Sequence, residues 1–156
     1  MAGPVVIADT REQEVYTFSP TRITTVRRAL PAADYSLLGL EARVAVERKS
    51  LKDLVDTVIR DRERFERELS RLATYDASCV VVEANLPDVL DHRYRSGAHP
   101  ASVLGAVLAI VVDHGIPVFF CGDRATARAF TEGYLLRCYK RFNQTHAIEH
   151  EATPTS

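Results

Sequence analysis

The spacing of apolar positions changes period several times along this 156-residue chain, and each change marks an element. Residues 4–8 (PVVIA) are a short β-branched run and predict a buried strand. Residues 10–20 are polar and read as loop. Arg22–Arg28 and Asp34–Leu38 have strand character, and Gly39-Leu40-Glu41 reads as a turn. Arg43–Glu47 alternates polar and apolar residues, as a strand does. The last three of these strands are close enough in sequence to predict an antiparallel meander.

Helical spacing follows. Ser50 precedes Leu51, and Asp53 lies three positions on, a capping box with Asp in place of Glu. Leu51, Leu54, Val55, Val58 and Ile59 form one apolar stripe. Phe65, Leu69 and Leu72 continue helical spacing to about Thr74, with a charged bend at 60–64 between them. Ser78–Glu83 predicts a strand buried in a sheet. Residues 85–99 read as loop. Pro100 opens a helix to about His114, Gly115 caps it and Pro117 stops it. Val118–Cys121 is another buried strand, and Arg124 to about Arg141 the last helix. From Asn143 onward the chain is polar. The expected organisation is one folded domain over 1–142 and a disordered tail over 143–156. Strands alternating with helices predict an α/β fold, a central mixed β-sheet flanked by helices.

Composition narrows the function classes. With 46% hydrophobic and 26% charged residues the chain suits one soluble domain and excludes a large multidomain enzyme. No apolar run is long enough to span a membrane, and the start lacks a signal-peptide pattern. Cys79, Cys121 and Cys138 are odd in number and far apart, so neither a disulfide framework nor a zinc knuckle is expected. A reduced, cytoplasmic protein is the expectation. The net charge of -1 gives no overall pull on polyanions, yet leaves room for a local basic surface. Basic residues are 17 Arg and 3 Lys. Arg suits bidentate phosphate contacts, although a GC-rich genome produces the same bias.

The chemistry concentrates at Val46-Glu47-Arg48-Lys49. Side chains alternate along a strand, so Glu47 and Lys49 share a face and Arg48 takes the other. Asp34 opens the preceding strand. Two carboxylates and a lysine so placed can hold a hard cation and orient a water beside a phosphate. Asp9, at the end of the first strand, and Asp53, one turn into the helix, can converge on the same point. His146 and His150 have the i, i+4 spacing of a metal pair but lie in the expected tail. From the pattern alone an exposed Glu47–Lys49 ion pair and a helix-capping Asp53 explain these residues equally well.

Three segments carry a resemblance: Asp9-Thr10-Arg11-Glu12, Ala33-Asp34-Tyr35, and Val46-Glu47-Arg48-Lys49-Ser50-Leu51-Lys52-Asp53. With Arg64-Phe65, the run Val80-Val81-Val82-Glu83, His99-Pro100 and Gly115–Phe120, they follow the order of motifs in the XPF/Hef-type structure-specific endonucleases. The chain resembles that family over roughly residues 4–141. The family belongs to the PD-(D/E)xK superfamily with the restriction-endonuclease-like fold.

The resemblance implies a Mg2+-dependent DNA endonuclease, with Mn2+ able to substitute, acting at branched or junction DNA in repair or recombination. It implies Asp34, Glu47 and Lys49 as the catalytic triad and Asp34, Glu47, Asp9 and Asp53 around the metal. It assigns Arg11, Arg48 and Arg64 to DNA contact or site organisation. Ala33 stands where the family usually has Gly, so the backbone there is expected to avoid positive φ. The segment from Asp34 to Glu47 is a few residues longer than usual, and the helix after the first strand is reduced.

Family members usually add a tandem helix-hairpin-helix domain, and some a helicase. The grip on DNA is therefore expected from the nuclease domain itself, from a homodimer, or from a separate helicase or DNA-binding protein. Residues 100–112 are almost wholly apolar, which fits a helix buried all round or one that meets a partner. Two rival functions stay open: a non-catalytic DNA-binding or dimerisation subunit, and an unspecialised DNA nuclease of a defence or mobile-element system.

Overall fold

A computed structural model describes residues 3–151, with side chains described as far as Asn143. Six strands form one sheet in the order β2-β1-β3-β4-β5-β6. They are β1 (Val5–Ala8), β2 (Thr24–Arg27), β3 (Tyr35–Leu37), β4 (Val44–Lys49), β5 (Ala77–Val82) and β6 (Val118–Phe120). The helices are α1 (Leu51–Ile59), α2 (Arg62–Leu72), α3 (Leu86–Leu90), α4 (Pro100–Val112) and α5 (Arg124–Glu151). The mixed α/β architecture is the expected one.

The expected meander is corrected at β2. Strands β3 and β4 pair antiparallel, but β2 pairs parallel with β1 and not with β3. Burial explains the choice. Val6, Ile7 and Ala8 of β1 are fully buried and need neighbours on both sides, whereas β2 is mostly exposed and suits an edge. The remaining pairs, β4–β5 and β5–β6, are parallel.

Alternation along the strands splits the core in two. Ala45, Val80 and Val82 pack with Leu54, Val55, Phe65, Leu69 and Leu72 of α1 and α2, and with Val103, Val107 and Ile110 of α4. Val44, Val46, Cys79 and Val81 face the other way, onto Tyr16, Phe18 and the α5 residues Ala127, Leu135 and Cys138.

Local chemistry sets the element ends. The Asp53 N–H donates to Ser50 Oγ at 3.1 Å, closing the expected cap of α1. The break between α1 and α2 falls at Arg60–Asp61, at the start of the expected bend. The His99 ring accepts from the Ala101 N–H ahead of Pro100, and Gly115 takes φ +67 after α4. Helix α3 stands where loop was expected, and the capping box of Asn85 and Asp88 starts it.

Helix α5 runs to Glu151, past its expected end near Arg141. Residues 152–156 of the expected tail, and the His146 and His150 side chains, lie outside the described residues. Helix α4 buries only one side. Leu108, Val111 and Val112 are exposed on the other, so burial all round is excluded.

Candidate functional site

Strand β4 carries the site because it runs centrally and ends at an open cleft. Ala45 is buried under the helices, and by alternation Glu47 and Lys49 point to that same face. The cleft has a volume of about 470 Å³, and Asp34, Glu47, Lys49, Asp53, Arg64 and Glu68 are among its walls. Asp34 arrives from the strand next door: its N–H bonds to the Val46 carbonyl, and its Oδ2 accepts the Arg48 N–H at 2.8 Å. The β3–β4 register therefore fixes Asp34 opposite Glu47.

Ala33 reaches this position with φ +65, contrary to the expectation that Ala would avoid that region. Left-handed backbone costs a non-glycine residue roughly 1–2 kcal/mol. The loop is clamped from α2: the Ala33 N–H donates to Glu68 Oε1 at 3.1 Å, and Arg71 Nη1 donates to the Pro31 carbonyl. Strain held by such clamps beside a reactive group is a common feature of functional sites.

Electrostatics mark the same point. Glu47 is 5% exposed, and its Oε2 has no hydrogen-bond partner. Burial, then the Asp34 and Glu68 carboxylates, push its carboxyl well above the usual range, while Lys49 opposes them. Burial and the charge of Glu12 push Asp34 up to about 6, against bonds from Glu47 and the Arg48 N–H. Lys49 Nζ lies 3.8 Å from Glu47 Oε1 and 4.8 Å from the centre of the Phe65 ring, a cation–π contact that holds the ammonium over the cleft.

A carboxylate oxygen buried without a donor normally costs stability. The neighbouring Asp34 carboxyl is raised as well, to about 6. Such a pair fits a hard cation with oxygen ligands. Among the described residues no three or more His, Cys, Asp or Glu side chains converge as a ready-made cage. Asp34 and Glu47 would offer a cation two carboxylates, with water left to complete its shell.

The opposite face of β4 is closed. Arg48 Nε and Nη2 bond to Glu12 at 2.9 and 3.1 Å, and Nη1 bonds to Glu83 at 2.6 Å. Tyr16 Oη donates to Glu83 Oε2, and Arg124 stacks on the Tyr16 ring at 4.7 Å. This network ties the loop after β1, the end of β5 and the start of α5 to one arginine. Its guanidinium organises the site from behind, and its N–H holds Asp34 in front.

The other candidates divide. Asp53 lines the cleft. Asp9 does not: its Oδ1 accepts from the Leu30 N–H and its Oδ2 from Arg11. Burial works against its charge, but the Arg11 guanidinium and these N–H groups outweigh it and hold the carboxyl below its usual range. Arg11 and Arg64 are mostly exposed at the cleft wall.

Sequence reading did not single out Glu68, Arg67 and Arg71. Their spacing with Arg64, at i, i+3, i+4 and i+7, places them on one face of α2 and was a usable signal. It also missed Glu83 and Tyr16, which no local pattern announces.

A mixed sheet with two carboxylates and a lysine at the end of a central strand defines the restriction-endonuclease-like α/β fold. The chain matches the ERCC4 domain over residues 8–132, and it belongs to that family as an XPF-type domain. It is 30% identical over 105 residues to the 3'-flap repair endonuclease Xpf of Saccharolobus solfataricus, covering 65% of this chain and 40% of that protein. It is also 30% identical over 115 residues to a Methanocaldococcus jannaschii protein named as an ATP-dependent RNA helicase, covering 74% of this chain and 13% of that protein. The chain thus spans less than half the length of these relatives.

XPF from Aeropyrum pernix superposes with a TM-score of 0.63 at 25% identity, over 85% of this chain and 60% of that one. The same protein in complex with DNA gives 0.62 at 26% identity, over 88% and 66%.

Proposed function

We propose that this domain is a Mg2+-dependent DNA endonuclease that hydrolyses phosphodiester bonds at branched or junction DNA. The observation that carries the reading is the buried, unpartnered Glu47 Oε2 beside Asp34 and Lys49 in an open cleft. Membership of the ERCC4 family supports it, as does likeness to a 3'-flap repair endonuclease and to an XPF complex with DNA.

Asp34 and Glu47 would hold the cation, with Asp53 at the rim. Asp9 supports the site by fixing the Arg11 loop. The bound cation would supply an activated water and charge stabilisation at the scissile phosphate. Lys49 orients that water and offsets negative charge as it develops. Glu12 and Glu83 fix Arg48, so the Arg48 N–H keeps Asp34 in register.

The exposed Leu108, Val111 and Val112 support a homodimer through α4. A separate helicase or DNA-binding protein would add grip on the duplex. No helix among the described residues is long and apolar enough to cross a membrane, and we place the protein in the cytoplasm, on nucleoid DNA when active.

Labelled linear, flap, fork and four-way DNAs incubated with the protein in Mg2+ or EDTA test this reading. Cleavage of branched forms in Mg2+, lost in EDTA and in Lys49→Ala, is expected. Equal cleavage of every substrate would favour an unspecialised nuclease. No cleavage with Mg2+ or Mn2+ would favour a non-catalytic binding subunit.

A further inference from the structure

The arginines around the cleft separate into two sets by what their donors already hold. Arg48 gives all three guanidinium nitrogens to Glu12 and Glu83, and Arg71 gives Nη1 to the Pro31 carbonyl, a bond that clamps the Ala33 loop. Arg67 is exposed and lines the cleft, with no hydrogen bond or ion pair among the described residues. Arg64 is 77% exposed and only 4.0 Å from Asp61, a loose contact. Arg11 uses Nε on Asp9 and keeps its two terminal nitrogens free of protein partners among the described residues.

Two of the nearby acids have partners of their own, although Glu68 also lines the cleft and its charge acts on Arg11. Glu66 bonds to His114, and Glu68 turns to the Ala33 N–H. Arg64 and Arg67 lie one turn apart on α2, about 5 Å along the axis, and Arg11 stands at the same cleft on the loop after β1.

We infer that Arg64 and Arg67, with Arg11 across the cleft, form a backbone-phosphate track that seats the nucleic-acid strand over the carboxylates, while Arg48 and Arg71 hold the fold and touch no phosphate. The inference rests on the nuclease reading and deepens it. Planar guanidinium forks with free donors match phosphate oxygens bidentately. Such contacts read no sequence and fix register along the strand.

The test is a salt series. The Lys49→Ala protein is titrated into a fluorescein-labelled fork at fixed Mg2+, with anisotropy read from low to moderate NaCl. Each phosphate contact contributes about 0.7–0.9 to the slope of log K against log salt. Adding Arg67→Gln or Arg64→Gln should flatten the slope by that amount each. Arg67→Lys should restore it, and Arg71→Gln should leave it at the reference value.

Unchanged slopes in both Gln variants, with binding intact, would overturn the inference and leave the nuclease reading standing. So would an Arg71→Gln slope as flat as that of Arg67→Gln. A Lys49→Ala reference that binds no DNA at any salt would overturn the nuclease reading and this assignment together. Because Arg64 and Arg67 are exposed, their Gln variants should melt with the reference protein, which separates lost contact from lost fold.

Discussion

Without a cation, Asp34 and Glu47 should oppose folding, and Asp34→Asn should make the protein more stable. A carboxyl that titrates near 6 in place of 3.8 costs the folded state up to roughly 3 kcal/mol when ionised. The cleft is open to water, which lowers this to about 1–2 kcal/mol. The sign follows from proton binding. Between pH 4 and 6 the folded state holds more protons than the unfolded chain, so stability falls as pH rises through that window. Glu47, also raised by burial and by the Asp34 charge, adds to the fall. Asn keeps an acceptor for the Arg48 N–H and removes one charge from the pair.

Urea unfolding in EDTA should therefore show Asp34→Asn more stable than wild type by about 1–2 kcal/mol at pH 8, with the gap closing to under about 0.5 kcal/mol at pH 4. Saturating Mg2+ should reverse the order. Wild type gains about 2.7 kcal/mol at a hundredfold excess over Kd, and the variant gains little. A variant less stable than wild type in EDTA at pH 8, or one that gains equally from Mg2+, would refute the paired-carboxylate argument.

Further outcomes follow from the same geometry. Arg48→Met takes the guanidinium from Glu12 and leaves Glu83 only Tyr16 and Arg124, and should cost about 3–5 kcal/mol in urea unfolding; a cost under about 1 kcal/mol would show the network to be incidental. Ala33→Gly relieves the left-handed backbone but loses a buried methyl, so unfolding should shift by less than about 1 kcal/mol either way. Leu108→Glu with Val112→Asp should give a monomer by light scattering if α4 forms the dimer, with stability changed by about 0.5 kcal/mol or less in the monomeric state. Ser50→Ala removes the α1 cap and should cost about 1 kcal/mol, measured by the same unfolding series.

The elements that local chemistry dictates were legible in the sequence. Alternation through Arg43–Glu47 and on to Lys49 puts Glu47 and Lys49 on one face, and Ser50 with Asp53 marks the helix start. Strand pairing was not legible, because β2 and β1 meet across a loop and the choice depends on which strand the whole sheet can bury. The backbone of Ala33 escaped for a related reason. Its left-handed conformation is imposed by Glu68 and Arg71, 35 and 38 positions downstream, and no single-residue preference reports that. Arg67, Glu68 and Arg71 were not singled out, because acids are interleaved with the arginines along this helix. In the structure Glu66 turns to His114, while Glu68 stays at the cleft and accepts the Ala33 N–H.

Strand β4 explains why site and scaffold cannot vary independently. Glu47 and Lys49 present open chemistry on one face, and Arg48 between them is locked on the other by two carboxylates from distant segments. A strand end carrying a repulsive carboxylate pair would fray if held only by its ladder bonds. The Arg48 bonds to Glu12 and Glu83 fasten it at the residue between the two functional side chains. The same residue's N–H aims Asp34. Loss of that fastening should therefore widen the separation of Asp34 and Glu47 before it unfolds the sheet. In Arg48→Lys, whose ammonium reproduces one of these bonds but not the planar fork, Mg2+ should stabilise the protein less than it does wild type while the circular dichroism spectrum stays native. If Mg2+ stabilises Arg48→Lys as strongly as wild type, the rear network does not position the carboxylates.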